Sequence, residues 1–457
     1  MLKKSAGLYA ITLAAMALVF SGCQKQDLGS PQVPASVNGD ISTAKGIKKN
    51  FSSEVAAKWF DNELLLIKST AGFTPPVASR ALGYTGVALY ESIVESMPEY
   101  ASLKSKLGYT YTLPSYSPSV KVFWPAVANA ALYEIEKSLF SKTSAANFSA
   151  MEKLYSDFHS QFATEVYKED LDASEAYGKA VAKVIFNWSN TDGIQRSLIN
   201  YTPDQYTPPT NEGAWVPTAP AFAQPLLPFW GDNRPFLAKN VDDACIPSPL
   251  TFAYSTAPSS VFYQMANEVY QTVTHLTPAQ REIALYWNDG AGSITPPGHN
   301  INIVTQLIRS NNLTLEDAAI VYAKAGMTVA DAFISCWKGK YRYSILRPIT
   351  FIRQNIDDSW TSLIPTPPFP TYASGHATVS GATAALLTAI FGDKYTFTDH
   401  TNDGQFSPRQ FSSFDAVADE AAMSRLYGGI HYRLDNEIGL QKGKMVGKNF
   451  ADLKLKK

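Results

Sequence analysis

Pro367-Pro368-Phe369-Pro370-Thr371-Tyr372-Ala373-Ser374-Gly375-His376 runs directly into a series of small residues that continues through Ala385. The prolines halt the preceding chain, and Ser374 stands where an N-cap opens a helix that ends near Gly392. Such a helix start is a ready anion site. Its unpaired amides, here Gly375 in particular, point outward, the dipole favours negative charge, and the Ser374 hydroxyl adds a donor. His376 falls in the first turn, placed to exchange protons with whatever sits there. The plainer reading is a capped helix beside a half-exposed histidine.

The flanking segments add charge of the right sign. Upstream, Trp337-Lys338-Gly339-Lys340-Tyr341-Arg342-Tyr343-Ser344-Ile345-Leu346-Arg347-Pro348 carries Lys340 and Arg347 seven positions apart. On an unbroken helix both would project from one face, with Trp337 one turn earlier. Gly339 can break that helix, and basic residues on a helix commonly form only a solvated face. Downstream, Ser424-Arg425-Leu426-Tyr427-Gly428-Gly429-Ile430-His431-Tyr432-Arg433-Leu434-Asp435 follows a helix that we expect to be opened by Ser412, with Asp415 at capping-box spacing. The paired glycines turn the chain and bring His431 back beside Arg425. Asp435, four residues on, is placed to hold the other imidazole nitrogen and so set the tautomer.

Outward from this core the pattern is helical. Val55, Trp59, Phe60, Leu64 and Ile67 recur at three- and four-residue steps behind a Ser52/Ser53 cap, and similar stretches follow at about 77–97, 121–141, 145–167 and 172–189. Residues 195–256 are rich in proline and aromatics, among them Trp215, Phe222, Phe229 and Trp230, which predicts an ordered strap across a surface. Helical periodicity then resumes near Ser259 and includes segments at about 314–337, 341–354, 374–391, 413–427 and 434–452, with few strand signals. The expected fold is all-α, two packed helical bundles: an N-terminal helical domain over 51–256 and a C-terminal catalytic bundle over 257–457.

The 39 basic residues nearly cancel the 40 acidic ones, so no global field favours nucleic acid, and none is expected as a partner. The amino terminus has Lys3 and Lys4, an apolar run from Leu8 to Phe20, then Ser21-Gly22-Cys23. This is the layout of an export signal over 1–22, with Cys23 as a lipidated first residue, a polar tether over 23–50, and contact with the membrane through the lipid alone. Phe20 replaces the usual aliphatic residue, so an ordinary signal peptide or an uncleaved anchor also fits. The expected location is the bacterial cell envelope, at the outer membrane or cell surface. Cys245 and Cys336 are read as two isolated buried thiols, and no zinc-type cysteine cluster or dinucleotide-type glycine fingerprint occurs.

Lys-x6-Arg-Pro, x-Ser-Gly-His and Ser-Arg-x5-His-x3-Asp, in that order, resemble the three-part signature of the superfamily that unites vanadium-dependent haloperoxidases with type 2 phosphatidic acid phosphatases and bacterial acid phosphatases. The likeness is tight over 337–435. It extends more weakly to Trp287-Asn288-Asp289-Gly290 and Thr295-Pro296-Pro297, and the first half shares only helical character. The resemblance implies that Lys340, Arg347, Ser374, Gly375 and Arg425 hold the oxygens of vanadate or phosphate. His431 is implied as the ligand of the central atom and His376 as the acid/base. Ala373 stands where the family usually has proline.

Trp337 and Phe369 occupy positions at which chloroperoxidases and iodoperoxidases of the superfamily carry aromatics on the halide side. The resemblance therefore implies vanadate as cofactor and oxidation of halide, iodide first, by hydrogen peroxide. A soluble phosphomonoesterase working through a phosphohistidine at His431, and an anion-binding surface lipoprotein without turnover, are the alternatives. Asp289 is expected to orient Arg347 or to be a helix-end carboxylate beside Gly290. For His299 two readings stand, a plain structural histidine or, from the upstream likeness, one that approaches the pocket, and His159, His275 and His400 are expected to lie at the surface. No stretch after Cys23 approaches about 18 uninterrupted apolar residues, so the integral-membrane phosphatase branch is not expected. Mass spectrometry of the membrane fraction should find a lipidated terminus at Cys23; an unmodified terminus, or one beyond Cys23, rejects the anchor.

Overall fold

The computed structural model describes residues 50–244 and 254–457. Cys23, the signal segment, nearly all of the tether and Cys245 lie outside them. The principal helices are α1 (Glu54–Ser69), α2 (Pro75–Ile93), α3 (Trp124–Leu139), α4 (Lys168–Ser189), α5 (Thr295–Ser310), α6 (Leu315–Tyr343), α7 (Pro348–Asn355), α8 (Gly375–Phe391), α9 (Phe414–Tyr427) and α10 (Arg433–Ala451). A single short antiparallel pair among the described residues, β1 (Phe397–Asp399) with β2 (Arg409–Phe411), interrupts the helical pattern.

The central helix α6 is apolar and long enough to cross a membrane, but its apolar stretch is buried inside the protein, as in a core helix. Apolar side chains surround it on all faces, which is what an all-round hydrophobic helix requires. The face toward the N-terminal half meets α2, where Phe60 of α1 also stacks on Tyr322 with centroids 3.7 Å apart. One continuous core therefore contains Trp59, Leu82 and Tyr90 from the first half together with Met327, Phe333, Leu387 and Phe450 from the second. A smaller, separate cluster gathers Phe262, Phe351, Trp360 and Tyr432.

Three elements depart from the sequence reading. α6 ends at Tyr343, with Ser344 in the left-handed region at φ 46°, so Lys340 and Arg347 do not share an unbroken helix. Pro348 explains the break: its ring disfavours helical geometry at Arg347, which becomes the extended N-cap of α7. The cap of α9 is Ser413, whose hydroxyl accepts from the Ala416 amide at 3.1 Å, one residue later than expected. At α1, Ser53 holds the N-cap position without a side-chain bond, and Ser52 accepts from the Glu54 amide instead.

The gap opened by the break after α6 is filled by the Pro-rich strap. Leu346 N donates to Gly213 O at 2.9 Å and Trp215 N to Ser344 O at 2.7 Å, while Leu226 N donates to Pro368 O at 2.9 Å. Trp215 and Trp230 are buried, whereas Phe222 is 63% exposed, so not every strap aromatic is covered.

Helices α8 and α10 pack backbone to backbone. Gly439, Gly443 and Gly447 recur every fourth residue of α10, and a Cβ built on Gly443 or Gly447 would stand 2.1 Å from Thr378 O or 2.0 Å from Ala382 O. Only glycine permits this approach, and it brings the start of α8 against the start of α10, where Ser374 N donates to Asp435 O at 3.1 Å. Gly443→Ala should lower stability by about 1–3 kcal/mol through forced separation of the helices, in spite of alanine's better helix propensity. An unchanged urea midpoint would show that the close approach is not required.

Candidate active site

The three sequence segments converge at the start of α8. Lys340, on the last turn of α6, is fully buried and donates through Nζ to the carbonyl oxygens of Pro370, Thr371 and Ala373 at 3.0, 3.0 and 2.6 Å. Arg347 is also fully buried. Its Nε donates to Phe369 O at 2.8 Å and its Nη1 to Ile430 O at 2.7 Å, with Nη1 also 3.3 Å from His431 Nε2. Arg425, at the end of α9, donates from Nη1 to Trp287 O and to His376 Nε2, the latter at 3.0 Å. Two N–H groups in this set, Arg347 Nη2 and Arg425 Nε, are buried without any protein acceptor. Buried donors of this strength are costly unless something accepts from them.

Ser374 caps α8 and its hydroxyl accepts from Ala377 N at 3.4 Å, which leaves its own hydrogen available. The Gly375 amide lies in the first turn, where helical geometry gives it no partner. A Cβ on Gly375 would meet Phe333 and Trp337 only at ordinary contact distances, so packing does not demand glycine here.

His431 is held by the turn that follows α9. Gly429 adopts φ 77°, and Ile430 N donates back to Arg425 O at 3.2 Å, which folds His431 under the arginine. Asp435 Oδ2 accepts from His431 Nδ1 at 3.0 Å, from Tyr432 N at 3.1 Å and from the Thr371 hydroxyl at 2.5 Å. A carboxylate at Nδ1 keeps the hydrogen there and leaves the Nε2 lone pair facing Arg347 and the pocket. Thr371, which reads only as part of a Pro-rich loop in the sequence, thus completes the clamp on the histidine.

Charge and burial act against each other throughout. Burial pushes Lys340 down to about 7, aided by Arg347 and opposed by Asp435. It lowers Arg347 to about 9 and Arg425 to about 10. His431 is held well below the usual imidazole range by burial and then by Arg347 and Lys340; His376 likewise by burial, Arg425 and His299. Asp435 is raised by burial to about 6, against the pull of Thr371 and Lys340. Cations buried this close together repel one another, and a bound oxyanion relieves that strain.

Aromatic rings line one side. Trp337 and Phe369 lie 4.8 Å apart, centroid to centroid, and Trp337 Nε1 donates to Leu226 O of the strap. Phe369 has Lys340 Nζ 4.9 Å and the Arg347 guanidinium carbon 4.9 Å from its ring centre, so two cations face one ring.

Asp289 does not orient Arg347. Its oxygens lie 3.1 and 3.2 Å from His299 Nδ1, and Oδ2 lies 3.7 Å from His376 Nε2. The upstream likeness marked both residues, but their pairing required the fold. His299 is separated from His376 only by Asp289. His275 and His400 are exposed, and His159 is half-buried against Glu175 at 2.8 Å. Cys336 is a buried free thiol against Ala373 O.

The chain matches known proteins in this region and beyond it. The family model for the VCPO second helical-bundle domain matches residues 320–456. A vanadium chloroperoxidase of Curvularia inaequalis is 24% identical over 455 residues, covering 79% of this chain and 74% of that protein. The crystal structure described as the first bacterial vanadium-dependent iodoperoxidase shares 33% identity at a TM-score of 0.80, covering 90% of this chain and all of that one. A holo-type bacterial vanadium-dependent chloroperoxidase, 14% identical with a TM-score of 0.63 over 89% of this chain and 96% of its own, shares the fold.

The depressed Lys340 has a consequence for stability in oxyanion-free protein. Between pH 7 and its ordinary 10.5, the unfolded chain binds a proton that the folded chain has lost, so this group makes stability rise with pH. From pH 7 to 9 the urea unfolding free energy should climb with a slope approaching ~1.4 kcal/mol per pH unit, and Lys340→Met should flatten it. A flat wild-type profile would contradict the assignment.

Proposed function

The chain belongs to the vanadium-dependent haloperoxidases, and from that premise we propose that iodide is its preferred halide and that the pocket at the start of α8 is where the reaction occurs. It is an enzyme that oxidises halide with hydrogen peroxide, using vanadate as cofactor. The balanced reaction consumes halide, hydrogen peroxide and one proton and yields hypohalous acid and water.

The observation that carries the site assignment is the pair of buried, acceptorless donors, Arg347 Nη2 and Arg425 Nε, in a pocket that also presents the His431 Nε2 lone pair. Donors without acceptors and one free nitrogen fit a tetrahedral oxyanion with a ligand position on its central atom. Lys340, Arg347, Ser374, Gly375 and Arg425 would hold the oxygens and His431 the metal. Bound vanadate supplies a Lewis-acidic centre that activates peroxide toward halide with no redox change at the metal. Asp435 and Thr371 keep the proton of His431 on Nδ1, so Nε2 stays a ligand. His376, kept neutral at working pH, would accept a proton from peroxide at Nε2 once Arg425 Nη1 leaves that nitrogen for the oxyanion, and would return it to the departing oxygen. Trp337 and Phe369 exclude water and offer a polarisable wall to a weakly hydrated anion.

Iodide is the least hydrated and most easily oxidised of the common halides, and the relative sharing 33% identity is described as an iodoperoxidase. We also propose, on the amino-terminal sequence alone, that Cys23 tethers the enzyme to the cell envelope.

The test is to assay purified apoprotein with and without orthovanadate, for iodide oxidation by peroxide and for p-nitrophenyl phosphate hydrolysis. His431→Ala should abolish vanadium retention. His376→Ala should keep measurable vanadate but lose most turnover, about 100-fold or more. Wild type that leaves halide untouched when loaded with vanadate, yet as apoprotein hydrolyses the ester through a trapped phosphohistidine at His431, would replace this reading with a phosphatase.

A further inference from the structure

Behind the pocket lies a buried chain of ionisable groups that the oxyanion site does not use directly. His299 on α5 has no exposed surface, and each of its ring nitrogens faces a carboxylate: Nδ1 toward Asp289 at 3.1 Å and Nε2 toward Asp399 Oδ2 at 2.9 Å. Ionised carboxylates only accept, so both nitrogens must carry hydrogen and the ring is an imidazolium. The balance of forces agrees: burial works against the charge, but Asp289 and Asp399 overcome it and raise the ring to about 10.

Asp399, on β1, is a firm anchor. Oδ2 also accepts from Tyr286 OH at 2.7 Å, and Oδ1 accepts from Thr401 N and Oγ1 at 2.9 and 2.6 Å. The ring of His299 stacks on Trp287 with centroids 4.3 Å apart, and the Trp287 carbonyl is the one that receives Arg425. Asp289, by contrast, is not settled by its own backbone, which sits at φ 42°, a region that non-glycine residues rarely occupy. Something outside the local chain must hold it there. The only hydrogen-bond partner recorded for its carboxylate among the described residues is His299.

We propose that His299 is a positioning residue: as a permanently charged imidazolium it pins the Asp289 carboxylate at its present 3.7 Å from His376, so that His376 Nε2 accepts from Arg425 and is not captured as the protonated half of a carboxylate pair. This rests on the proposed role of His376 as proton acceptor. Without the His299 cation, Asp289 would be a buried carboxylate left with Arg425 as its counter-charge, and it would turn to the nearest donors, Arg425 and His376. His376 would then hold its proton when peroxide arrives.

The experiment has two arms. In vanadium-free wild type, the ¹⁵N resonances of His299 should show a doubly protonated ring that persists to pH 9. A singly protonated ring at neutral pH overturns the proposal, and this arm depends neither on turnover nor on the folding of any variant. In vanadate-loaded enzyme, His299→Gln should lower kcat/KM for peroxide about tenfold while the KM for iodide changes less than threefold. Adding Asp289→Asn to that variant should restore activity, although the same change harms the wild type. A double variant no better than His299→Gln would show that His299 serves only packing, and the pinning role falls. If wild type oxidises no iodide, the functional reading fails while the NMR result still decides the state of His299.

Discussion

Three cations in a dry interior, Lys340, Arg347 and Arg425, are caged by backbone carbonyl oxygens and not by carboxylates. Pro370, Thr371, Ala373, Phe369, Ile430 and Trp287 supply those oxygens. A carbonyl stabilises a buried cation without neutralising it, so the positive field survives for an anionic ligand. Carboxylate partners in the same positions would have stabilised the empty fold more and bound an oxyanion less. The rest of the architecture can be understood as what is needed to present six carbonyls, from three separate stretches of chain, to three side chains.

That presentation depends on where helices stop. The break at Ser344 frees Leu346 and Arg347 to run alongside the strap, and Pro348 starts the next helix with Arg347 pointing inward. Ser374 starts α8 at the point where the Pro-rich loop has just delivered its carbonyls to Lys340. The glycine stripe of α10 then draws that helix onto α8 until the two N-termini touch, which sets Asp435 under His431. Each break exposes polar backbone, and the site uses that backbone as its structural material.

Carboxylates do enter the site, but they address histidines. Asp435 sets the tautomer of His431, and Asp289 stands between His299 and His376. The two histidines nearest the pocket, His431 and His376, are both held below the usual imidazole range, while His299, behind Asp289, is raised above it. Burial lowers all three, the cations of the pocket lower His431 and His376 further, and two carboxylates overcome burial at His299.

The sequence by itself determined the helical character, the start of α8 at Ser374, and which three polar segments the fold brings together. These are local matters: caps, prolines, glycines and apolar spacing act within a few residues, and anion chemistry requires particular side chains. Only the tertiary structure decided that Lys340 and Arg347 reach the site from either side of a helix break, that Thr371 joins the clamp on His431, and that Asp289 pairs with His299 and not with Arg347. Carbonyl oxygens belong to every residue and leave no mark in a sequence, and a pairing across ten or a hundred positions, such as His299 with Asp289 and Asp399, depends on how helices pack.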